Sequence, residues 1–160
     1  PDAQFIAGGS QFGSVNVWDA TTALKKATYS TSDGPKNIKA KPDARMVMSV
    51  RYGLDGSQIA AGSSDGKVRV FDVETSAATM TTKAHSMSVR SVEWLFSPGA
   101  DSRSLLASCG EDALICVHDI RSNGSVIASW RAHTGAVLGI GAAAQTGILS
   151  SCGSDGVVKV

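Results

Sequence analysis

The stretch Gly62-Ser63-Ser64-Asp65-Gly66-Lys67-Val68-Arg69-Val70-Phe71-Asp72-Val73 decides the fold. Ile59-Ala60-Ala61 leads in as a short apolar run, Asp65-Gly66 supplies a tight turn, and Val68, Val70 and Val73 mark a returning strand. This pattern predicts a β-hairpin whose two turn residues both take positive φ, which Gly accepts without steric cost. Three other stretches align with it, at residues 10–19, 109–120 and 152–160. With Gly13, Gly66, Ala113 and Gly156 as marks, the copies are 53, 47 and 43 residues apart. The hairpin is one copy of a repeat.

Around each mark the chain reads as short strands separated by turn residues, so the fold class is all-β with four-stranded antiparallel units. The predicted units are 1–31 (partial), 46–82, 85–130 and 133–160 (partial). Inner strands are expected at 46–52, 89–94 and 137–141, and enlarged connections at 32–45 and 96–103. Alternation is weak in many strands, as it is in sheets covered on both faces.

A net charge of +1 over 160 residues gives no bulk reason to expect direct nucleic-acid or membrane binding. Local excess at Lys25, Lys26, Lys36, Lys39, Lys41 and Arg45 reads as a solvated edge. Three cysteines do not make a disulfide framework, and buried free thiols are the expected state. Cys116 and His118 share a strand face but lack the paired spacing of a metal site, so no metal is expected. Gly139-Ile140-Gly141-Ala142-Ala143-Ala144 matches a dinucleotide pattern in letters only. The chain turns at Gln145-Thr146-Gly147 into another strand instead of opening a helix, so no cofactor is expected. Ser, His and Asp recur together once per unit, which suits a structural clip better than a nucleophilic triad. No enzyme is expected.

Repeats of about 40–45 residues with four strands each are the signature of WD-repeat propellers, and the chain resembles that family over its whole length. The resemblance implies a protein-interaction scaffold, with the remaining blades of the same protein needed to close the ring. It implies that this chain is a piece of a longer protein. It also implies a buried hydrogen-bonded chain in each blade: His85, Ser108 and Asp112 with His118 in the position of the family's Trp, then His133, Ser151 and Asp155. On this view His118→Trp stabilises the fold. The blade of the opening hairpin has Ala61 where Ser108 and Ser151 stand, so Asp65 is expected to rest on backbone donors and the blade on packing of Phe71. The resemblance further places partner contacts on the top face, at Met46, Met48 and Ser64, at Ser88, Arg90 and Glu111, and at Ala136, Leu138 and Ser154.

Within the family, residues 45–75 and 84–92 resemble the WD-repeat subunits of the superkiller complex. That likeness implies a scaffold in RNA decay or RNA polymerase II-associated transcription elongation, in cytoplasm and nucleus, with helicase and tetratricopeptide partners. The alternative is a WD-repeat adaptor of another assembly, in ubiquitin ligation, the cilium or the cytoskeleton.

Overall fold

The computed structural model describes residues 4–31, 45–95, 104–143 and 147–160. The enlarged connections expected at 32–45 and 96–103 lie outside these residues, apart from Arg45. The described chain forms four antiparallel sheets in sequence order. The first is β1 (Phe5–Gly9), β2 (Ser14–Asp19) and β3 (Lys25–Ser30). The second is β4 (Val47–Tyr52), β5 (Gln58–Ser63), β6 (Lys67–Asp72) and β7 (Ala78–Lys83). The third is β8 (Val89–Leu95), β9 (Leu105–Gly110), β10 (Leu114–Asp119) and β11 (Ser125–Arg131). The last is β12 (Val137–Ala142), β13 (Leu149–Gly153) and β14 (Val158–Lys159). These are partial propeller blades that do not close a ring.

The second and third sheets are packed on both faces, which is why apolar runs replace alternation in β5, β6 and β9. In the second sheet Ile59, Ala61 and Phe71 face the first, joining Val15, Val17 and Tyr29. Ala60, Val68 and Val70 point the other way, onto Val92, Trp94 and Leu106 of the third. Ala107, Cys109 and Ile115 then meet Val137 and Ile140 of the fourth. Polar ties cross the second seam: Val92 N donates to Ser49 Oγ at 3.2 Å, and Trp94 Nε1 donates to the Arg51 carbonyl at 3.3 Å. Burying an aliphatic or aromatic side chain in such a seam stabilises by about 1.5–3 kcal/mol.

The opening hairpin forms, but its turn differs from the expectation. Gly66 has φ +76°, whereas Asp65 keeps an ordinary negative φ, so the loop is Ser64-Asp65-Gly66 and not two residues. Gly66 N donates to Ser63 O at 3.1 Å and Asp65 Oδ1 accepts from Lys67 N at 3.0 Å. This is a three-residue loop ending in a left-handed residue. Its physical reason is the Asp: with negative φ, the carboxylate folds forward onto the next strand's first amide. A side chain at Gly66 would also strike the carbonyls of His85 and Met87, so space as well as φ demands glycine.

Ala113 fills the same position in the third sheet at φ +69°. A left-handed alanine is strained by about 1–2 kcal/mol, partly balanced by the greater freedom glycine loses on folding. Ala113→Gly is therefore expected to stabilise the fold by about 0.5–1 kcal/mol, read as a raised urea midpoint with unchanged slope. A lowered midpoint would contradict the strain.

Candidate functional site

The turn aspartates anchor two kinds of clip. In the third sheet Asp112 Oδ1 lies 2.9 Å from His85 Nδ1, and His85 Nε2 lies 2.8 Å from Ser108 Oγ. Ser108 Oγ is in turn 2.8 Å from His118 Nε2. One set of proton positions satisfies this chain: His85 Nδ1–H donates to Asp112, Ser108 O–H donates to His85 Nε2, and His118 Nε2–H donates to Ser108. His118 Nδ1 is buried and, among the described residues, makes no hydrogen bond of normal geometry. Asp112 also accepts from Ser86 N at 3.0 Å and Leu114 N at 3.2 Å. Burial pushes its carboxyl up, but His85 and these two amides outweigh that and hold it below the usual carboxylate range.

The fourth sheet repeats the arrangement. His133 Nδ1 is 2.9 Å from Asp155 Oδ1, and its Nε2 is 3.0 Å from Ser151 Oγ. Desolvation raises Asp155, while the Thr134 amide, His133 and the Val157 amide bring it down to about 2. The serines are buried, so neither set presents a nucleophile to solvent.

The second sheet corrects the expectation for Asp65. Lys67 N does donate to it, but the main partner is Arg69, whose side chain is 1% exposed. Arg69 Nη2 lies 2.9 Å from Asp65 Oδ2, and Nη1 reaches Asp65 Oδ1 at 3.4 Å and Ser63 Oγ at 3.3 Å. Burial raises the Asp65 carboxyl, and the Arg69 guanidinium with the Lys67 amide overcomes this and holds it low. Phe71 packs as anticipated, its ring centroid 5.5 Å from that of Tyr29. The one legible trace of the Arg69 clip was a cation four residues past the turn Asp, set between Val68 and Val70 in β6. In the first sheet Phe12 takes the Asp position, and Ser10 Oγ closes the turn by accepting from Phe12 N and Ser14 N, each at 3.2 Å.

Cys116 and His118 do separate work. Cys116 Sγ points to the Ala84 carbonyl at 3.8 Å and His118 to Ser108, while burial pushes the Cys116 and Cys109 thiols up to about 11 and about 12. Neither is a thiolate near neutral pH.

The nine top-face residues fall into two structural sets. Ser64, Glu111 and Ser154 open the turn loops, and their amides donate to the carbonyls of Met46, Ser88 and Ala136 at 2.8, 3.0 and 2.9 Å. The other three, Met48, Arg90 and Leu138, share a feature the sequence did not reveal. Each is the extra residue of a β-bulge: the register skips from Val47 to Ser49, Val89 to Ser91 and Val137 to Gly139. A bulge leaves its residue unpaired and re-aims its side chain. Arg90 is steadied by Glu111 at 3.5 Å, both about one-third exposed.

Comparison with known proteins follows the same lines. The family described as nucleolar protein 10-like, N-terminal domain, matches residues 1–153. WD repeat-containing protein SL1-17 of Schistosoma mansoni is 36% identical over 129 residues, covering 81% of this chain and 37% of that protein. WD repeat-containing protein VIP3 of Arabidopsis thaliana is 36% identical over 104 residues, 64% of this chain and 31% of VIP3. Cell division cycle 20.1, cofactor of APC complex, of Arabidopsis thaliana is 27% identical over 149 residues, 91% of this chain and 29% of that protein. The chain thus spans roughly a third of the length of these relatives.

Proposed function

The chain belongs to the nucleolar protein 10-like N-terminal domain family of WD-repeat β-propellers, and from that premise we propose that its bulged rim docks protein partners. It is a non-enzymatic scaffold of the kind that binds proteins within complexes. The observation that carries the rim assignment is the recurring bulge: three successive inner strands each present one re-aimed residue, Met48, Arg90 and Leu138, at the same level. Adaptable Met and a carboxylate-steadied Arg suit the centre of an interface.

The assembly served is a subunit scaffold of RNA decay or transcription elongation, working in nucleus and cytoplasm with helicase and tetratricopeptide partners. The likeness of residues 45–75 and 84–92 to superkiller WD-repeat subunits supports this reading. A second reading, scaffold of a nucleolar assembly, is favoured by the family description that spans residues 1–153.

Affinity capture from cells expressing the full-length protein tests both levels. Met48→Glu with Arg90→Ala is expected to abolish capture and leave folding intact, because the exposed Arg90–Glu111 pair contributes under about 1 kcal/mol. Undiminished capture sinks the rim assignment. A helicase and a tetratricopeptide protein among the partners supports RNA decay, whereas pre-ribosomal proteins support the nucleolar reading.

A further inference from the structure

The two ends of the sheets differ in charge. The rim end carries the turns at Asp65, Asp112 and Asp155 together with the links from β7 to β8 and from β11 to β12. Among the described residues its acids are engaged: Asp65 by Arg69, Glu111 by Arg90, Asp112 by His85 and Asp155 by His133. The same end also holds Arg45, Lys67, Lys83, Arg131 and Lys159, of which Lys83, Arg131 and Lys159 are exposed. At the opposite end the balance reverses. Among the described residues that end holds Asp19, Asp55, Asp72, Glu74, Glu93 and Asp119 against Lys25, Lys26, Arg51 and Arg121. The described residues are therefore polarised, with their positive end at the rim.

The positive end is apolar as well. Phe12, Met46, Met87 and Leu138 are 69%, 43%, 51% and 46% exposed. Cation and apolar residue meet closely at one point. The Lys83 ammonium and the Met87 carbonyl both lie 2.8 Å from the space a side chain at Gly66 would occupy. The Met87 link thus overlies the turn of the preceding sheet, and its backbone lies beside a lysine held on the Asp65 carbonyl.

We propose that this end binds an acidic protein segment interleaved with apolar residues. Its carboxylates meet Lys83 and Arg131, and its apolar side chains cover Met87 and Met46. The proposal rests on the rim reading and adds the partner's chemistry. Complementary charge selects the segment and speeds its encounter, while exposed Met and Leu supply area that a phosphate backbone would leave wet. This favours a peptide over RNA.

The test uses the full-length protein and three labelled probes: a short peptide alternating Glu and Leu, its Lys-for-Glu counterpart, and oligouridylate. The Glu–Leu peptide alone is expected to bind, about tenfold more weakly at high than at low salt. Lys83→Glu with Arg131→Glu should abolish binding and Lys83→Gln with Arg131→Gln should weaken it, with melting temperatures unchanged at these exposed sites. Equal binding of the Lys peptide, binding of oligouridylate alone, no binding, or indifference to the charge reversals overturns the proposal. The rim reading fails separately. If Met48→Glu with Arg90→Ala abolishes partner capture from cells while Lys83→Glu with Arg131→Glu does not, the rim stands and the acidic partner falls.

Discussion

Asp65→Ala is expected to lower stability by about 3–5 kcal/mol, the largest loss from any turn aspartate in the chain. Its partner Arg69 is 1% exposed, so removing the carboxylate strands a permanent cation between two packed sheet faces. Ser63 Oγ remains within reach of Nη1 but cannot balance the charge. At this chain length such a loss lowers Tm by about 10 °C or more. The contrast with Asp112→Ala is the control. There the group left behind is the His85 ring, which carries no fixed charge and keeps Ser108 as a partner, so the cost is expected to be smaller. The second control is Asp65→Ala combined with Arg69→Met. Replacing a whole buried ion pair by apolar groups is often close to neutral, so the double variant should recover most of the stability. A single variant that melts within a degree or two of the parent would mean the guanidinium finds water, and the clip would not be what holds this turn. A double variant no better than the single would place the cost in the lost Lys67 turn bond instead.

This clip marks the limit of what could be read from residues alone. The repeat and its strands were legible because turn chemistry and spacing are local. Gly66 and Gly156 announce left-handed positions, and the apolar runs of β5, β6 and β9 announce sheets covered twice. The His85 and His133 sets were also within reach, because they recur at the same offsets from a turn Asp. Arg69 was not. A cation in a strand ordinarily reads as solvent-facing, and only the packing of Ile59 and Phe71 around the same sheet shows that its face is interior. The bulges were hidden for another reason. One extra residue in Val47-Met48-Ser49 leaves the apolar content unchanged, and only pairing to β5 reveals that Met48 has no opposite number. The outer strands carry similar unpaired residues at Lys26, Thr79 and Ile127. The turn type was misjudged because Asp-Gly suits both a two-residue turn and a loop with its bulge at Gly. The Asp side-chain bond to Lys67 N decides between them.

His118 should make the fold acid-sensitive well above the carboxylate range. It is fully buried, and that burial, with a smaller contribution from His85 and a partial offset from the Gly124 backbone, pushes its pKa down to about 4 from 6.5. The sign follows from where the proton binds. Between those two values the unfolded chain takes up a proton at this position and the folded chain does not, so acid favours unfolding. The contribution is complete above about pH 6.5 and is lost as pH falls through 4, amounting to about 3 kcal/mol. Asp112 and Asp155 act in a lower window, below 3.8, and so leave this step separable. His118→Trp removes the titrating group and keeps an N–H for Ser108. The slot accepts larger rings in the sister sheets, where Trp18 and Phe71 hold the same place relative to the turn. The variant is therefore expected to gain stability at about pH 5 and to lose this step from its urea-midpoint profile. His118→Phe should lose the step too, but at a cost of about 1 kcal/mol at neutral pH, because Ser108 then gives up one partner. A parent and His118→Trp pair with parallel profiles would show that His118 protonates freely in the folded chain. Marked destabilisation of the Trp variant at neutral pH would show that the third sheet has closed around the smaller ring.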